Sequence, residues 1–229
     1  DFARSEHVSA CGIGKHLMAW GGMSLIDTPL AVVVLAAGKG TRMKSSLHKV
    51  LHPIAGHPML LHLLGSLGEL GVARQVIIAG DRSEQIEAAL AGSGAEVVMQ
   101  HEQLGTGHAA VQAKAALADF TGLVVICFGD GPFLTAATVR RLCQAVQDGA
   151  KVAVLGFRPG DNITYDRIAA DGEGRVSKMV EYKDASPEER AIELCYAGPM
   201  VAHSRDIWPL LESIDNNNAQ GEYYLPDVA

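Results

Sequence analysis

Short apolar runs recur along this chain, separated by segments in which apolar and polar residues are mixed. An uninterrupted apolar run bounded by turn residues is typical of a strand buried on both faces of a parallel sheet. We therefore predict five strands: Ala31–Ala37, Val76–Ala79, Ala95–Met99, Leu123–Cys127 and Val152–Leu155.

Amphipathic segments lie between these strands and predict helices. They cover the stretch from Pro58 to about Gly71, Asp81–Ala91 with Asp81 as N-cap, Thr106–Ala118, Thr135–Val146 and Ser204–Ile214. Repeated alternation of strand and helix predicts an α/β fold, with a Rossmann-like, doubly wound and mostly parallel sheet. Beyond residue 160, three short strand-like runs (167–169, 175–182 and 195–202) predict a small β-rich insertion packed on the same sheet.

The first predicted strand leads into a glycine-rich, cationic turn, Gly38-Lys39-Gly40-Thr41-Arg42, with Lys49 downstream. Glycines let backbone N–H groups approach an anion, and the cations neutralise its charge. A dinucleotide fingerprint would need a third glycine where Met43 stands. A P-loop would need a glycine at the same place, directly before Lys44. The turn is therefore predicted to bind phosphate in a different way.

Three polar positions follow predicted strands directly: Gly38, Gln100 and Asp130. Ligands of doubly wound folds bind outside the carboxyl ends of the strands. We therefore predict that these positions meet in one crevice. Asp130 in such a crevice is a candidate ligand for Mg²⁺, although a lone aspartate after a strand is more often a turn residue.

Charge and cysteine content limit the possible partners. The chain has 229 residues and a formal net charge of −7, so nucleic acid and anionic membranes are poor partners. The four cysteines form no C-x-x-C pair, which favours reduced thiols and a cytoplasmic protein. Residues 1–28 have no secretory pattern and are interpreted as a leader or added extension, excluded from the fold prediction although it could order against the domain.

Five motifs in order resemble the sugar-nucleotide pyrophosphorylases, in particular the uridyltransferase half of a bacterial bifunctional uridyltransferase/acetyltransferase. They are LAAGKGTRM with Lys49, Gln100–His108, Phe128–Pro132, Val180–Ala185 and Asn217–Tyr224. The resemblance covers 29–229 and implies one nucleotidyltransferase domain. The chain has no hexapeptide repeat, so the β-helical acetyltransferase domain of that family is predicted to be absent. An oligomer stays possible, although that domain normally drives oligomerisation in the family.

The resemblance also implies a reaction and a set of residues. UMP passes from UTP to N-acetylglucosamine 1-phosphate, giving UDP-N-acetylglucosamine and pyrophosphate, with Mg²⁺ as cofactor and no protein nucleophile. Catalysis would rest on positioning and charge neutralisation by Arg42 and Lys49. The implied metal ligands are Asp130 and Asn218, and the sugar would contact Asp166, Glu181 and Tyr196. The implied nucleotide contacts are Leu35, Ala36, Gly38, Gly40, Gln100, Gln103, Gly105 and Thr106, of which the last four match the segment that reads the base in that family.

Several positions depart from the family pattern, mostly on the sugar side. Asp166 replaces a glycine and Tyr196 replaces an asparagine, while His48 and Pro226 replace a proline and a threonine. Two alternatives therefore stay open. The acceptor could be another sugar phosphate or an alcohol phosphate, or the chain could be a nucleotide-binding module with impaired turnover.

Overall fold

The computed structural model describes residues 7–11, 28–160 and 164–228, of which 7–11 are described only as backbone. The strands are β1 His7–Cys11, β2 Leu30–Ala36, β3 Pro53–Ile54, β4 His57–Pro58, β5 Arg74–Ala79, β6 Glu96–Met99, β7 Leu123–Phe128, β8 Val152–Phe157, β9 Arg167–Ala170, β10 Val176–Val180 and β11 Cys195–His203. The α-helices are α1 Met59–Gly68, α2 Ser83–Ala89, α3 Thr106–Val111, α4 Ala113–Ala116, α5 Ala136–Gln147, α6 Pro187–Arg190 and α7 Ser204–Ser213. Three 3₁₀ turns span Thr41–Met43, Lys49–Leu51 and Leu225–Val228.

One mixed sheet organises the chain, with the order β1-β8-β11-β7-β2-β5-β6. The pairs β7–β2, β2–β5 and β5–β6 are parallel. β11 runs antiparallel to both β7 and β8, so β8 points the same way as the parallel strands. All seven residues of β2 are buried, because helices cover both faces of the sheet. The predicted α/β fold with a Rossmann-like, mostly parallel sheet is confirmed.

The region beyond residue 160 differs from the prediction in one respect. The hairpin β9–β10 is an appendage, as expected, but β11 is inserted into the main sheet between β7 and β8. Part of the predicted extension also belongs to this sheet, because β1 pairs with β8 at the edge. The remainder of residues 1–27 lies outside the described residues.

The helices follow the predicted segments with two corrections. Helix α2 begins at Ser83, and its N-cap is Arg82 in the left-handed region rather than Asp81. The predicted helix over Thr106–Ala118 is two helices, α3 and α4, which meet at Gln112. Three cysteines are buried and free, and burial raises the pKa of Cys127 and of Cys143 to about 12. Among the described residues, no helix is both long and apolar enough to cross a membrane.

Candidate active site

A cavity of about 280 Å³ opens at the carboxyl ends of β2, β6 and β7, and we call it the central cavity. The strand ladders continue one step into the loops that form it, since Gln100 N–H donates to Ala79 O and Gly129 N–H donates to Leu35 O. The predicted convergence of Gly38, Gln100 and Asp130 is therefore confirmed as geometry. The lining residues are Leu35, Ala36, Ala37, Gly38, Lys49, Val50, Gln100, Gln103, Gly105, Thr106, Ala109, Phe128, Asp130 and Glu222.

Lys49 and Asp130 form an ion pair at one end of the central cavity. Both side chains remain more than a third exposed, so each can still reach a ligand. Gly40 has φ +57°, and a Cβ there would lie 2.7 Å from Lys49 Cβ. The glycine thus lets the glycine-rich turn 38–42, which we call the phosphate-type turn, pack directly against the stem of Lys49. This end of the cavity offers one cation and one carboxylate to a charged ligand.

Gln100 and Gly105 line another part of the cavity, which we call the base-reading end after the predicted role of this segment. The buried Gln100 side chain donates from Nε2 to Gly105 O at 3.2 Å and lies 2.9 Å from His108 Nδ1. A carbonyl can only accept, so the amide nitrogen must face Gly105 O and the amide oxygen is left over. Among the described residues, no donor reaches Gln100 Oε1, and no acceptor reaches the N–H of Gly105. This end therefore offers an acceptor and a donor.

Gln103 connects the base-reading end with the phosphate-type turn. Its Nε2 donates to Ala37 O at 2.9 Å, so the amide that was predicted to read the base is partly used by the protein itself. The contact depends on Gly80, where a Cβ would lie 2.6 Å from Ala37 O and 2.7 Å from Gln103 Nε2. Gly80 was missed in the sequence, although a glycine directly after a predicted strand signals close backbone approach.

The segment around Tyr223 closes the cavity from outside. Tyr223 donates to Leu104 O and accepts from Gly107 N–H, both at 2.8 Å, and Gly105 leaves only backbone room beside it. Thr106 Oγ1 accepts from Leu225 N–H at 2.9 Å. Gly105 is the N-cap of helix α3, and Thr106 is the first residue of that helix. The motifs 100–108 and 217–224 are therefore one folded unit.

Asn218 does not reach the cavity wall in this structure. Its Oδ1 accepts from the N–H groups of Gln220 and Glu222, and its Nδ2 donates to Glu222 O. Both ends of the amide thus close its own turn, whereas Glu222 lines the cavity. Asp130 lines the cavity and Asn218 does not, so the expectation that the two residues hold a metal together stays a prediction. Among the described residues, no three His, Cys, Asp or Glu side chains cluster to hold a metal.

Asp166 and Glu181 face each other just beyond the paired ends of β9 and β10, where Arg167 pairs with Val180. The two carboxyl groups lie close enough to share a hydrogen-bonded proton. Burial raises the pKa of Asp166. Burial, and then the bond to Asp166, raise the pKa of Glu181 to about 7. Neither residue lines the central cavity.

Tyr196 lies elsewhere than predicted. Its ring is buried in the core, and its hydroxyl donates to Gly198 O. Burial raises the pKa of this phenol further above its ordinary value. Tyr196 therefore neither projects into the central cavity nor blocks it directly, which corrects its assignment as a sugar contact. Its backbone N–H donates to Asp166 O at 2.8 Å and so positions Asp166.

Residues 32–224 match the MobA-like NTP transferase domain. The chain belongs to this family. It is 54% identical over 206 residues to the bifunctional protein GlmU of Rhizorhabdus wittichii, and 55% over 205 residues to that of Novosphingobium aromaticivorans. These alignments cover 89% of this chain but 46% and 45% of the relatives, so the chain spans about half their length. The resemblance drawn from the motifs is thereby confirmed.

The fold of this NTP transferase domain is also that of a solved structure. A UDP-glucose pyrophosphorylase complexed with UDP-glucose superposes with a TM-score of 0.69 over 87% of this chain and 85% of the other, at 18% identity. At that identity the likeness concerns the fold alone.

Two predicted residues of the phosphate-type turn stand apart from the central cavity. Arg42 is exposed in the 3₁₀ turn Thr41–Met43. Gly40 lines a neighbouring cavity of about 520 Å³ with Lys39 and Lys44. The residues of the wall that sequence reasoning missed are Ala37, Val50, Ala109, Phe128 and Glu222. Of these, Ala37, Phe128 and Glu222 lie inside motifs already singled out.

Glu181→Gln is expected to stabilise the protein at alkaline pH. The folded state holds the Glu181 proton up to about pH 7, whereas an unfolded glutamate releases it near 4.5. The free energy of unfolding therefore falls as pH rises from 4.5 to about 7, and the whole loss is present above that range. Glu181 is partly exposed, so screening reduces the gain to about 1 kcal/mol, or a rise in Tm of about 2–4 °C at pH 8.

Calorimetry at pH 8 and pH 5 measures this effect, with a clearly smaller gain at pH 5. Glu102→Gln, in an exposed loop, is the matched control and should change Tm little at either pH. A gain that is equal at both pH values would contradict the shared proton.

Proposed function

We propose that this chain is a UTP-dependent sugar-1-phosphate nucleotidyltransferase, and that its acceptor is N-acetylglucosamine 1-phosphate. The observation that carries the proposal is the division of the central cavity. Its base-reading end holds Gln100 and Gly105, and its other end holds Lys49 and Asp130 beside the phosphate-type turn. A nucleoside triphosphate has the same division, with a neutral base at one end and a chain of anions at the other.

The hydrogen-bond pattern of the base-reading end favours uracil. Gln100 Oε1 accepts and Gly105 N–H donates, which matches the N3–H and C4 carbonyl of uracil. Cytosine presents an acceptor and an amino donor at the same two places, so both contacts would be mismatched. A polar site that leaves buried groups unpaired discriminates strongly against such an analogue.

The proposed reaction is an in-line displacement. A phosphate oxygen of the sugar 1-phosphate attacks the α-phosphorus of UTP, a new P–O bond forms, and the bond to the β-phosphate oxygen breaks to release pyrophosphate. No side chain needs to act as nucleophile, so the protein contributes positioning and charge neutralisation. Lys49 would stabilise charge on the α-phosphate, and Arg42, which is exposed, would reach the leaving pyrophosphate once the nucleotide is bound.

The donor set of the cavity fits a divalent cation of the Mg²⁺ type. Such an ion usually takes one or two protein oxygens and completes its shell with substrate phosphates and water. Asp130 offers a partly exposed carboxylate, and Asn218 would join it only after its turn rearranges. When bound, the cation would neutralise triphosphate charge. Lys49 would then leave Asp130 and contact phosphate instead.

The Asp166–Glu181 pair favours a second candidate, a nucleotidyltransferase for a different phosphorylated acceptor. Both residues match positions that face the sugar in the resembling family, and Asp166 adds a carboxyl group where that family has glycine. The side chain of Asp166 also takes up space that a glycine would leave free, so an acceptor of another shape would fit here better than N-acetylglucosamine 1-phosphate.

The decisive experiment measures pyrophosphate release from UTP across a panel of sugar 1-phosphates and small alcohol phosphates, with Mg²⁺. We expect release with N-acetylglucosamine 1-phosphate. Faster release with another acceptor would favour the second candidate. Tight UTP binding without pyrophosphate release in the presence of any acceptor would indicate a nucleotide-binding module with impaired turnover.

Asp166→Gly is expected to lower the KM for N-acetylglucosamine 1-phosphate about tenfold and leave the KM for UTP unchanged. The change removes both a charge and the bulk of a side chain. Asp166→Asn removes only the charge, so its effect separates repulsion from crowding, and repulsion should weaken at high salt. An unchanged KM in both variants would place Asp166 away from the acceptor.

A further inference from the structure

His108 contacts the base-reading end of the central cavity without lining it. It lies on helix α3, half-buried, and its Nδ1 is 2.9 Å from Gln100 Nε2. Its ring also stacks at a tilt on Tyr223, with centroids 6.3 Å apart, so the segment that closes the cavity holds the ring in place. No step of the proposed reaction uses this imidazole.

We propose that His108 is a positioning residue that sets the base selectivity by fixing which atom of the Gln100 amide faces the nucleotide. The inference rests on the proposed function, since it concerns the base of the nucleotide in that same cavity. His108 acts through Gln100 and does not itself contact the base.

The geometry gives the Gln100 NH₂ group two partners. Gly105 O, at 3.2 Å, is an obligate acceptor, and His108 Nδ1, at 2.9 Å, must then present its lone pair. The imidazole proton is consequently on Nε2 in the neutral ring. Turning the amide over would place its oxygen against the Gly105 carbonyl and the Nδ1 lone pair. Both partners together therefore keep Oε1 directed away from them.

The other ring nitrogen makes the weaker contact, in which a proton on His108 Nε2 faces the Gln112 amide nitrogen without bonding it. Gln112 Nε2 lies 3.0 Å from His108 O and 3.3 Å from His108 Nε2. The carbonyl is the shorter contact and an obligate acceptor, so it is the partner of the Gln112 amide. Nδ1 makes the shorter of the two side-chain contacts to the ring, and it decides the tautomer.

Selectivity follows from this orientation. With Oε1 toward the cavity, Gln100 accepts from the N3–H of uracil. With Nε2 toward the cavity, it would donate to the N3 lone pair of cytosine instead. Removing the Nδ1 acceptor leaves only Gly105 O to hold the amide, so the second orientation becomes accessible and UTP and CTP become more alike.

The test compares His108→Leu with His108→Asn in the complete 229-residue chain. Asparagine can place an oxygen acceptor near the position of Nδ1, whereas leucine fills space without an acceptor. The ratio of kcat/KM for UTP to that for CTP should fall at least about tenfold in His108→Leu, mostly through improved use of CTP. His108→Asn should retain most of the ratio of the parent.

Measurements of nucleotide binding and of ¹⁵N NMR shifts distinguish failure of this inference from failure of the proposed function. If the parent itself binds UTP and CTP equally, the proposed function fails at the base-reading end. If the parent discriminates and a folded His108→Leu discriminates equally well, the role of His108 is refuted. Should the leucine variant not fold, ¹⁵N shifts of the parent decide: a proton on Nε2 of neutral His108 supports the inference, and a proton on Nδ1 overturns it.

Discussion

Asp130→Asn is expected to lower pyrophosphate release from UTP and N-acetylglucosamine 1-phosphate at least about a hundredfold. The amide keeps the size of the side chain but removes the charge that would hold a divalent cation against the triphosphate. Asp130 is partly exposed at the cavity and is not part of the core, so the fold and Tm should change little.

Metal-free UTP binding distinguishes a lost cation from a lost nucleotide site. Asp130→Asn removes a negative charge from the cavity and releases Lys49 from its ion pair, so metal-free binding of UTP should be retained or become tighter. Asp119→Asn is the matched control, because Asp119 pairs with Arg74 on the exposed surface. A folded Asp130→Asn variant with near-normal turnover would remove Asp130 from the mechanism.

Hydrophobic periodicity was sufficient to predict the central part of the fold. Strands β2 and β7 and the Val76–Ala79 part of β5 are apolar because both faces of the sheet are covered there, so their sequence alone identifies them. The place of β11 could not be read in this way. Its pairing with β7 and β8 joins segments far apart in the chain, and local pattern carries no information about which neighbour a strand finds.

The predictions for the candidate site also succeeded only in part. Gly38, Gln100 and Asp130 could be placed together because strand ends of one direction meet at one edge of the sheet. The place of the Tyr196 side chain could not be predicted, because a match to a family position does not tell which way a larger side chain points. The tyrosine is accommodated in the core, with its hydroxyl bonded to Gly198 O.

Predictions for polar residues in loops failed for a different reason. Asp81 has the composition of an N-cap, but helix α2 begins later, and Asp81 instead lies 3.7 Å from Lys39. Asn218 was predicted to bind a metal. Its short amide instead forms hydrogen bonds within its own turn, as asparagine commonly does in loops. Competition between local and distant partners decides such residues, and only coordinates resolve it.

Lys49→Met is expected to reduce kcat/KM at least about a hundredfold in both directions of the reaction. Methionine preserves an unbranched apolar stem against Gly40, so the turn should keep its packing while the charge is lost. A catalyst cannot alter the equilibrium constant, so the reverse reaction, from pyrophosphate and UDP-sugar, should slow as well. Loss of charge neutralisation at the α-phosphate predicts that reduction in kcat rather than in KM alone.

Lys39→Met provides the matched control on the same turn. Lys39 is exposed, lies near Asp81 and does not line the central cavity, so its removal should change kcat less than about threefold. A large loss from Lys39→Met together with a small loss from Lys49→Met would move the catalytic cation to the neighbouring cavity that Lys39 lines with Lys44. A large loss confined to Lys49→Met places charge neutralisation beside Asp130, where the ion pair of the free protein would have to open for the nucleotide to bind.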